Sequence, residues 1–356
     1  MSAKTDLPWD IPPSWRPALD AAAQGAVIFI IGEVDSGKTT LAAALANAAI
    51  VAGRRTAVVD ADVGQSSVGP PACVGLALPT RSFTSLDDLV AHQIDFVGAC
   101  SPAAHLLQVT TSTSLLTAAA RSDGCETIVI DTGGMVSGGL ARALKVAKIR
   151  LTDPDVIVAL QSEDEVDHLV SAYRARSRPH ILRLRISRHA QQRSREERMA
   201  YRQRRFAAYL KGGKVIDIAW HDAPAENSPW TTGEPAPGHV AAYAEEQLGC
   251  EVLFAERRAD GVVLIVRGQP DPAGLRGLRD SFGATPHVID EAALDHLLIG
   301  LLGKGGDTLS IGIIERMDFR KRRLSVYTPL ADGAQVCGLR LGSLRIARDG
   351  SQLASL

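Results

Sequence analysis

The sequence predicts an α/β protein: a parallel sheet with helices on both faces, then an arginine-rich helical lid and a smaller C-terminal β-rich domain. Three observations carry this reading. Short continuous apolar runs alternate with Ala/Leu-rich segments through the first half of the chain. One of those runs, Val27 to Ile31, feeds through a glycine-bearing loop into a helical segment. Beyond residue 174 the composition turns to arginine, and short strand-like runs separated by turns follow. Unbroken β-branched runs between helices mark a sheet buried on both faces, where ligands gather at the C-terminal ends of the strands.

At 356 residues the chain exceeds one ordinary core, which predicts two domains. The formal net charge of −1 gives no global attraction for a charged partner, so any basic surface must be local. No apolar run approaches the roughly 20 residues that span a bilayer, so no membrane contact is expected. The segment Met1-Ser2-Ala3-Lys4-Thr5-Asp6 lacks the apolar core of a secretory signal. Cys73, Cys100, Cys125, Cys250 and Cys337 are odd in number and far apart, without a C-x-x-C pair. Neither a disulfide framework nor a zinc site follows from them, and the expected compartment is the reducing cytoplasm.

In order, an extended Pro- and Trp-bearing arm to about Arg16 precedes the strand Val27–Ile31. A helix is predicted from Lys38 to Ala52, stopped by Gly53 at the position after its cap. Thr56–Asp60 reads as a strand, followed by a Pro/Gly-rich connector and Phe96-Val97-Gly98. Then come a helix from about His105 to Arg121, the strand Thr127–Asp131, a helix around Gly139 to Lys148, and the strand Val156–Leu160. Later runs at Val215–Ile218, Val262–Val266, Leu309–Ile314 and Arg323–Tyr327 read as strands, with a long polar loop at 222–238. Ala292 to Leu302 reads as a helix packed among them.

The segment Gly32-Glu33-Val34-Asp35-Ser36-Gly37-Lys38-Thr39-Thr40 matches G-x-x-x-x-G-K-T between a strand and a helix, the setting a P-loop requires. Its glycines let successive N–H groups turn toward phosphate oxygens in front of a positive helix end. Lys38 would reach the β- and γ-phosphates, and the Thr39 hydroxyl would ligate Mg²⁺. The expected fold is therefore that of a P-loop NTPase.

Asp60-Ala61-Asp62-Val63-Gly64-Gln65 stands at the tip of the next strand. Two acids one residue apart project differently there, so one can address the hydration shell of a metal and the other a substrate hydroxyl. The competing reading is that both merely cap a turn. Asp131-Thr132-Gly133-Gly134 ends another apolar strand, where an acid holding Mg²⁺ through water is expected, and Thr132 stands beside it. The same residues satisfy D-x-x-G, a γ-phosphate-sensing pattern of GTPases, yet no [NT]-K-x-D guanine motif occurs.

From Arg174 to Arg205 twelve arginines face two acids, Glu196 and Glu197. A helix from Arg193 to Leu210 would place Arg195, Arg198, Arg202 and Arg205 in one stripe and Met199, Phe206 and Leu210 on the adjacent, packed face. A solvated face, a nucleic-acid backbone contact and a lid over phosphates are all compatible with that stripe. The charge imbalance disfavours the first. Arginine's planar fork suits the other two.

These residues support a resemblance. The P-loop, followed by Asp60-Ala61-Asp62-Val63-Gly64-Gln65-Ser66-Ser67-Val68-Gly69-Pro70-Pro71, is similar to the polynucleotide 5′-hydroxyl kinase family of tRNA splicing, mRNA 3′-end formation and pre-rRNA processing. Gly98-Ala99-Cys100-Ser101-Pro102, Asp131–Val136 and Arg193–Leu210 resemble its later blocks. The resemblance implies ATP and Mg²⁺ held by Lys38 and Thr39; the strand-end reading above puts Asp60 and Asp131 on the metal side, and Asp131 stands where relatives often carry Asn. The resemblance makes Asp62 the base for the 5′-hydroxyl, and Arg193, Arg198 and Arg202 the lid residues that meet phosphates. Gln65, Thr132, Gly133 and Met135 would face the acceptor, a 5′-OH RNA or DNA end. Met135 stands where the family has a substrate-clasping Trp, and it stacks less well on a base. The implied map is an arm over 1–24 and a kinase domain over 25–212 with its lid at about 188–210. A connecting strand and loop over 213–249 and the β-rich domain over 250–356 complete it. The rival reading is a P-loop ATPase or GTPase acting as a switch or assembly factor.

Overall fold

The computed structural model describes residues 11–228, 230 and 233–353. Two compact units divide the chain at residues 209 and 210. Residues 1–10 of the expected arm, and 229, 231 and 232 of the expected polar loop, lie outside the described residues.

In the first unit a 3-10 turn, Pro13–Trp15, opens α1 (Arg16–Gln24). Trp15 is buried, and its indole N–H donates to the Arg185 carbonyl at 3.0 Å, which ties the start of the fold to a strand far along the chain. Next come β1 (Val27–Ile31), α2 (Lys38–Val51), β2 (Thr56–Ala61), β3 (Cys73–Ala77) and β4 (Gln93–Phe96). They are followed by α3 (Leu106–Ser122), β5 (Thr127–Thr132), α4 (Gly138–Thr152) and β6 (Val156–Gln161). A short α5 (Asp167–Val170), β7 (His180–Arg185) and α6 (Arg195–Leu210) close the series.

The strands stand in the order β4-β3-β2-β5-β1-β6-β7. From β2 to β7 neighbours run parallel, and β3 is antiparallel to both β2 and β4. Every residue of β1, β2, β5 and β6 is buried, as their unbroken apolar runs require. Strand alternation sorts β1 between two cores. Val27, Phe29 and Ile31 join the layer that holds Leu116 of α3 and Leu144 of α4, whereas Ile28 and Ile30 join Ala18 of α1 and Leu41 and Leu45 of α2. Each fully buried Ile, Leu or Phe side chain contributes roughly 1.5–3 kcal/mol. The strands β1, β5 and β2 are thus parallel neighbours, with their C-terminal ends at one end of the sheet.

The second unit holds β8 (Lys214–Ala219), the two-residue β9 (Glu234–Pro235), α7 (Gly238–Leu248), β10 (Glu251–Arg258), β11 (Gly261–Arg267) and α8 (Pro272–Phe282). β12 (His287–Asp290), β13 (Leu297–Leu302), β14 (Thr308–Asp318), β15 (Arg323–Thr328) and β16 (Gly338–Arg345) complete it. One sheet runs β16-β13-β14-β15-β8, antiparallel throughout, and a second runs β12-β11-β10-β9. The helix expected over 292–302 is corrected: Glu291–Ala293 is a 3-10 turn and Leu297–Leu302 is a strand paired on both edges. A six-residue apolar run fits a buried strand as well as one helical turn, and two partners with free edges decide for the strand. The unit also carries α7 and α8, which the reading of short strands and turns passed over.

Candidate active site

α2 starts at Lys38 behind Gly37, whose φ of +87° is the left-handed turn that lets the loop meet the helix. Asp35 also takes a left-handed backbone, at φ +60°, a conformation Asp tolerates better than most side chains. Gly32 to Thr40 therefore wrap the N-terminus of α2, with Thr39 and Thr40 exposed. The Lys38 ammonium rests on the Glu33 carbonyl and lies 3.5 Å from Ser36 Oγ. Burial lowers its pKa, opposed by the charges of Asp131, Asp62, Asp35 and Glu33.

The Thr39 hydroxyl donates to Asp131 Oδ2 at 2.7 Å, joining the first turn of α2 to the end of β5. Asp131 is buried and its other oxygen, Oδ1, accepts no hydrogen bond. Burial pushes the carboxyl up to about 6, against the charge of Lys38 and the Thr39 bond. An orphaned anionic oxygen beside a threonine hydroxyl suits a hard cation or its water shell. No group of three or more acid, His or Cys side chains forms a metal cluster among the described residues. Mg²⁺ would therefore draw the rest of its ligands from water and phosphate, as that ion commonly does.

Asp60, expected on the metal side, has both carboxylate oxygens engaged by the loop that follows β2. Its Oδ1 accepts from the amide of Asp62 at 3.0 Å, and its Oδ2 accepts from the amides of Ser67 at 2.6 Å and Val68 at 3.0 Å. The carboxyl is spent on folding the loop after β2, which reaches so far back that its amides need an interior acceptor. Burial and the nearby Asp131 push it up to about 8 despite those bonds. Asp62 has a different environment. Its Oδ1 accepts from the amides of Gly64 at 3.0 Å and Gln65 at 3.1 Å, while Oδ2 takes no hydrogen bond among the described residues.

Thr132 is also displaced from its expected place. It is fully buried, donates to the Ile30 carbonyl at 2.7 Å and receives the Lys145 ammonium at 2.6 Å, so its hydroxyl is engaged in holding strands together. Gly133 abuts Asp62: a Cβ there would lie 3.4 Å from Asp62 Oδ1. At Gly134 a Cβ would come within 2.5 Å of the Val34 backbone nitrogen, so only glycine lets this turn touch the P-loop. Met135 is half-buried against the core and lines a small cavity with Asp62 and Gly133. Gln65 Nε2 bonds the Gly64 carbonyl at 2.7 Å and sits 3.4 Å from the Arg198 carbonyl on the lid.

α6 lies across this end of the sheet. Arg198 donates to Asp35 Oδ2 at 2.9 Å, and the Arg193 amide donates to the same oxygen at 2.9 Å. The Tyr201 hydroxyl donates to Asp87 Oδ1 at 2.6 Å, and the Arg193 guanidinium lies 5.7 Å from the centre of the Tyr201 ring. Arg205 donates to the carbonyls of Ser67 and Gly69. Phe206 and Leu210 are buried as expected, but Met199 is 44% exposed and belongs to the open face. A cavity of about 480 Å³ lies under the helix, lined by Lys38, Thr39, Asp62, Gln65, Arg193, Arg198 and Arg202 among others. Tyr201, Lys145 and Lys148 are the participants that sequence reading missed; Asp35 was expected as part of the P-loop, but its bonds to Arg193 and Arg198 were not.

Strand, glycine cradle, helix, and an acid paired with the helix's first threonine define a P-loop nucleotide-binding protein with a lid. Residues 32–212 match the family described as the mRNA cleavage and polyadenylation factor CLP1 P-loop. The chain belongs to that family. It is 30% identical to the polyribonucleotide 5′-hydroxyl-kinase of Pyrococcus furiosus, covering 99% of this chain and 98% of the relative. It is 30% identical to the enzyme of the same name from Methanocaldococcus jannaschii, covering 92% and 89%. Among solved structures, wild-type Clp1p in complex with Pcf11p is similar in fold, with a TM-score of 0.56 at 13% identity over 93% of this chain and 78% of that one. The family's P-loop implies use of ATP. No helix among the described residues is long and apolar enough to cross a membrane.

Proposed function

We propose that this protein is an ATP-dependent polyribonucleotide 5′-hydroxyl kinase that moves the γ-phosphoryl group of ATP to the 5′-OH of RNA. The observation that carries the reading is Asp62: a carboxylate with one free oxygen, lining the same cavity as Lys38 and the arginines of α6. The loop amides and Lys38 hold the donor phosphates. Thr39 and Asp131 would hold Mg²⁺, which when bound screens the phosphate charge. Asp62 accepts the proton as the 5′-oxygen bonds to the γ-phosphorus. The bond from that phosphorus to the β,γ-bridging oxygen breaks, and ADP leaves. Arg193, Arg198 and Arg202 face the cavity from the lid, placed to meet charge that spreads over the moving group; arginines so placed can be worth on the order of 10³–10⁵ in rate.

The same proposal assigns catalysis to residues 25–212 and treats 250–356 as a separate domain. It sets the protein in the cytoplasm, in keeping with five free cysteines. The relatives' names do not favour the switch or assembly NTPase. Incubation with γ-labelled ATP, Mg²⁺ and 5′-OH oligonucleotides tests the reading, with label expected on RNA from the wild type and nearly none from Asp62→Asn at unchanged ATP affinity. Equal transfer by the variant removes Asp62 from the mechanism. Hydrolysis without transfer to any oligonucleotide removes the kinase.

A further inference from the structure

Two ammonium groups lie beneath the turn at residues 132–135, and the chemistry above makes no use of them. Lys145 and Lys148 are three residues apart on α4, and each is 1% exposed. Lys145 donates to the Thr132 hydroxyl and to the Gly133 carbonyl, both at 2.6 Å. Lys148 reaches the carbonyl of Ala61 at 3.4 Å, the residue between Asp60 and Asp62. With Asp62, Gly133, Gly134 and Met135 they line a cavity of about 70 Å³.

Taking an ammonium out of water is expensive, and two that share a helix face also repel each other. Burial lowers both pKa values, that of Lys148 to about 8. An aliphatic side chain would fill either place without that penalty. The charges that offset it are the carboxylates of Asp60, Asp62 and Asp131 at the ends of β2 and β5. Those acids lie together at the ends of β2 and β5, and Lys145 and Lys148 set positive charge against them from α4. Lys145 does more than neutralise. Its two bonds fix the turn whose Gly133 faces Asp62 and whose Gly134 touches the P-loop, so one side chain sets the turn against both base and phosphate cradle.

We propose that Lys145 is a positioning residue for the acceptor strand, clamping the 132–135 turn against Asp62, while Lys148 steadies the Asp60–Asp62 strand end from the same helix. This rests on the reading of Asp62 and its turn as the acceptor side of a 5′-hydroxyl kinase. A displacement of about 1 Å at such a turn costs on the order of 10²-fold in turnover of the misplaced substrate, whereas the donor is held by other elements.

The test is steady-state kinetics on the full chain with Lys145→Met, Thr132→Val and the double variant, varying ATP and a 5′-OH RNA oligonucleotide separately. Lys145→Met should lower kcat/KM for the oligonucleotide about 100-fold and leave KM for ATP within about 2-fold. Thr132→Val, which removes one of the two bonds and keeps the ammonium, should show the same split at about 10-fold. The double variant should be no worse than Lys145→Met alone, because both act through one contact. KM values for ATP and oligonucleotide rising together, or fully multiplicative losses, would overturn the assignment and leave Lys145 a fold-stabilising residue. If Lys145→Met does not fold, the split in Thr132→Val decides alone. Wild-type protein that labels no oligonucleotide refutes the kinase reading. Wild-type activity with an unchanged split in the variants refutes only this one.

Discussion

Asp35 holds the lid to the phosphate loop, and neutralising it should loosen that closure without disturbing the loop. One carboxylate oxygen accepts both the Arg198 guanidinium and the Arg193 amide at 2.9 Å. The ion-paired side chains are only 30% and 15% exposed, so the pair is better shielded than a surface bridge, which is commonly worth 0–1 kcal/mol. A hydrogen bond to a charged group contributes about 1.5–3 kcal/mol, and screening at this depth leaves roughly 1–2 kcal/mol for the charge itself. Asp35→Asn is the variant of choice, because Asn keeps the shape, retains an acceptor oxygen and tolerates the left-handed backbone at +60°. Losing 1–2 kcal/mol shifts the lid equilibrium about 5- to 30-fold toward open. Hydrogen exchange of the amides in the first turns of α6 should accelerate by that factor, while α2 and β1 stay protected. kcat/KM for transfer should fall by a similar factor, and the gap between variant and wild type should narrow as salt rises. Unchanged exchange in α6 together with reduced activity would refute the latch and place the effect of Asp35 on the nucleotide.

Other expectations follow from the same geometry. Met135→Trp should tighten oligonucleotide binding about 5- to 160-fold, since stacking on one base is worth about 1–3 kcal/mol, and fluorescence anisotropy of a labelled RNA measures it. Asp131→Asn should raise the Mg²⁺ concentration for half-maximal transfer at least tenfold, read from a metal titration at saturating ATP; an unchanged requirement removes Asp131 from the metal side. Burial holds Lys148 at about 8 against 10.5 in a free lysine, so between those values the unfolded chain binds more protons than the folded one. Lys148 should therefore make stability rise with pH across that window, by up to about 3 kcal/mol, and Lys148→Met should reduce the rise, leaving the part that the buried Lys145 and Lys38 contribute. Urea unfolding at pH 7.5 and 10 tests the sign.

Much of the site was legible because its chemistry is local in sequence. The P-loop, the acid at the end of β5 and the arginine stripe each occupy one short stretch, and β1, β2, β5 and β6 are apolar enough to read directly. What stayed hidden depends on partners distant in the chain. Asp60 and Asp62 are indistinguishable as letters two apart, and only the return of Ser67 and Val68 shows which one shapes the loop. Thr132 beside Asp131 reads as a ligand until the Ile30 carbonyl is found opposite it. Lys145 and Lys148 lie among Arg142 and Arg150 in α4, where lysines pass for a solvated face; burial of the helix against the sheet decides otherwise. β3 was masked by flanking prolines, and β7, an edge strand, by arginines at alternate positions.

The near-contact of residue 134 with Val34 has a consequence for how this enzyme can vary. Main chain rests on main chain there, with only a hydrogen atom between, and no rotamer can absorb a change in distance. The spacing between the phosphate loop and the 132–135 turn is thus set by two peptide segments that mutations around the cavity cannot readily push apart. Lining residues such as Met135 can vary while that spacing keeps its length.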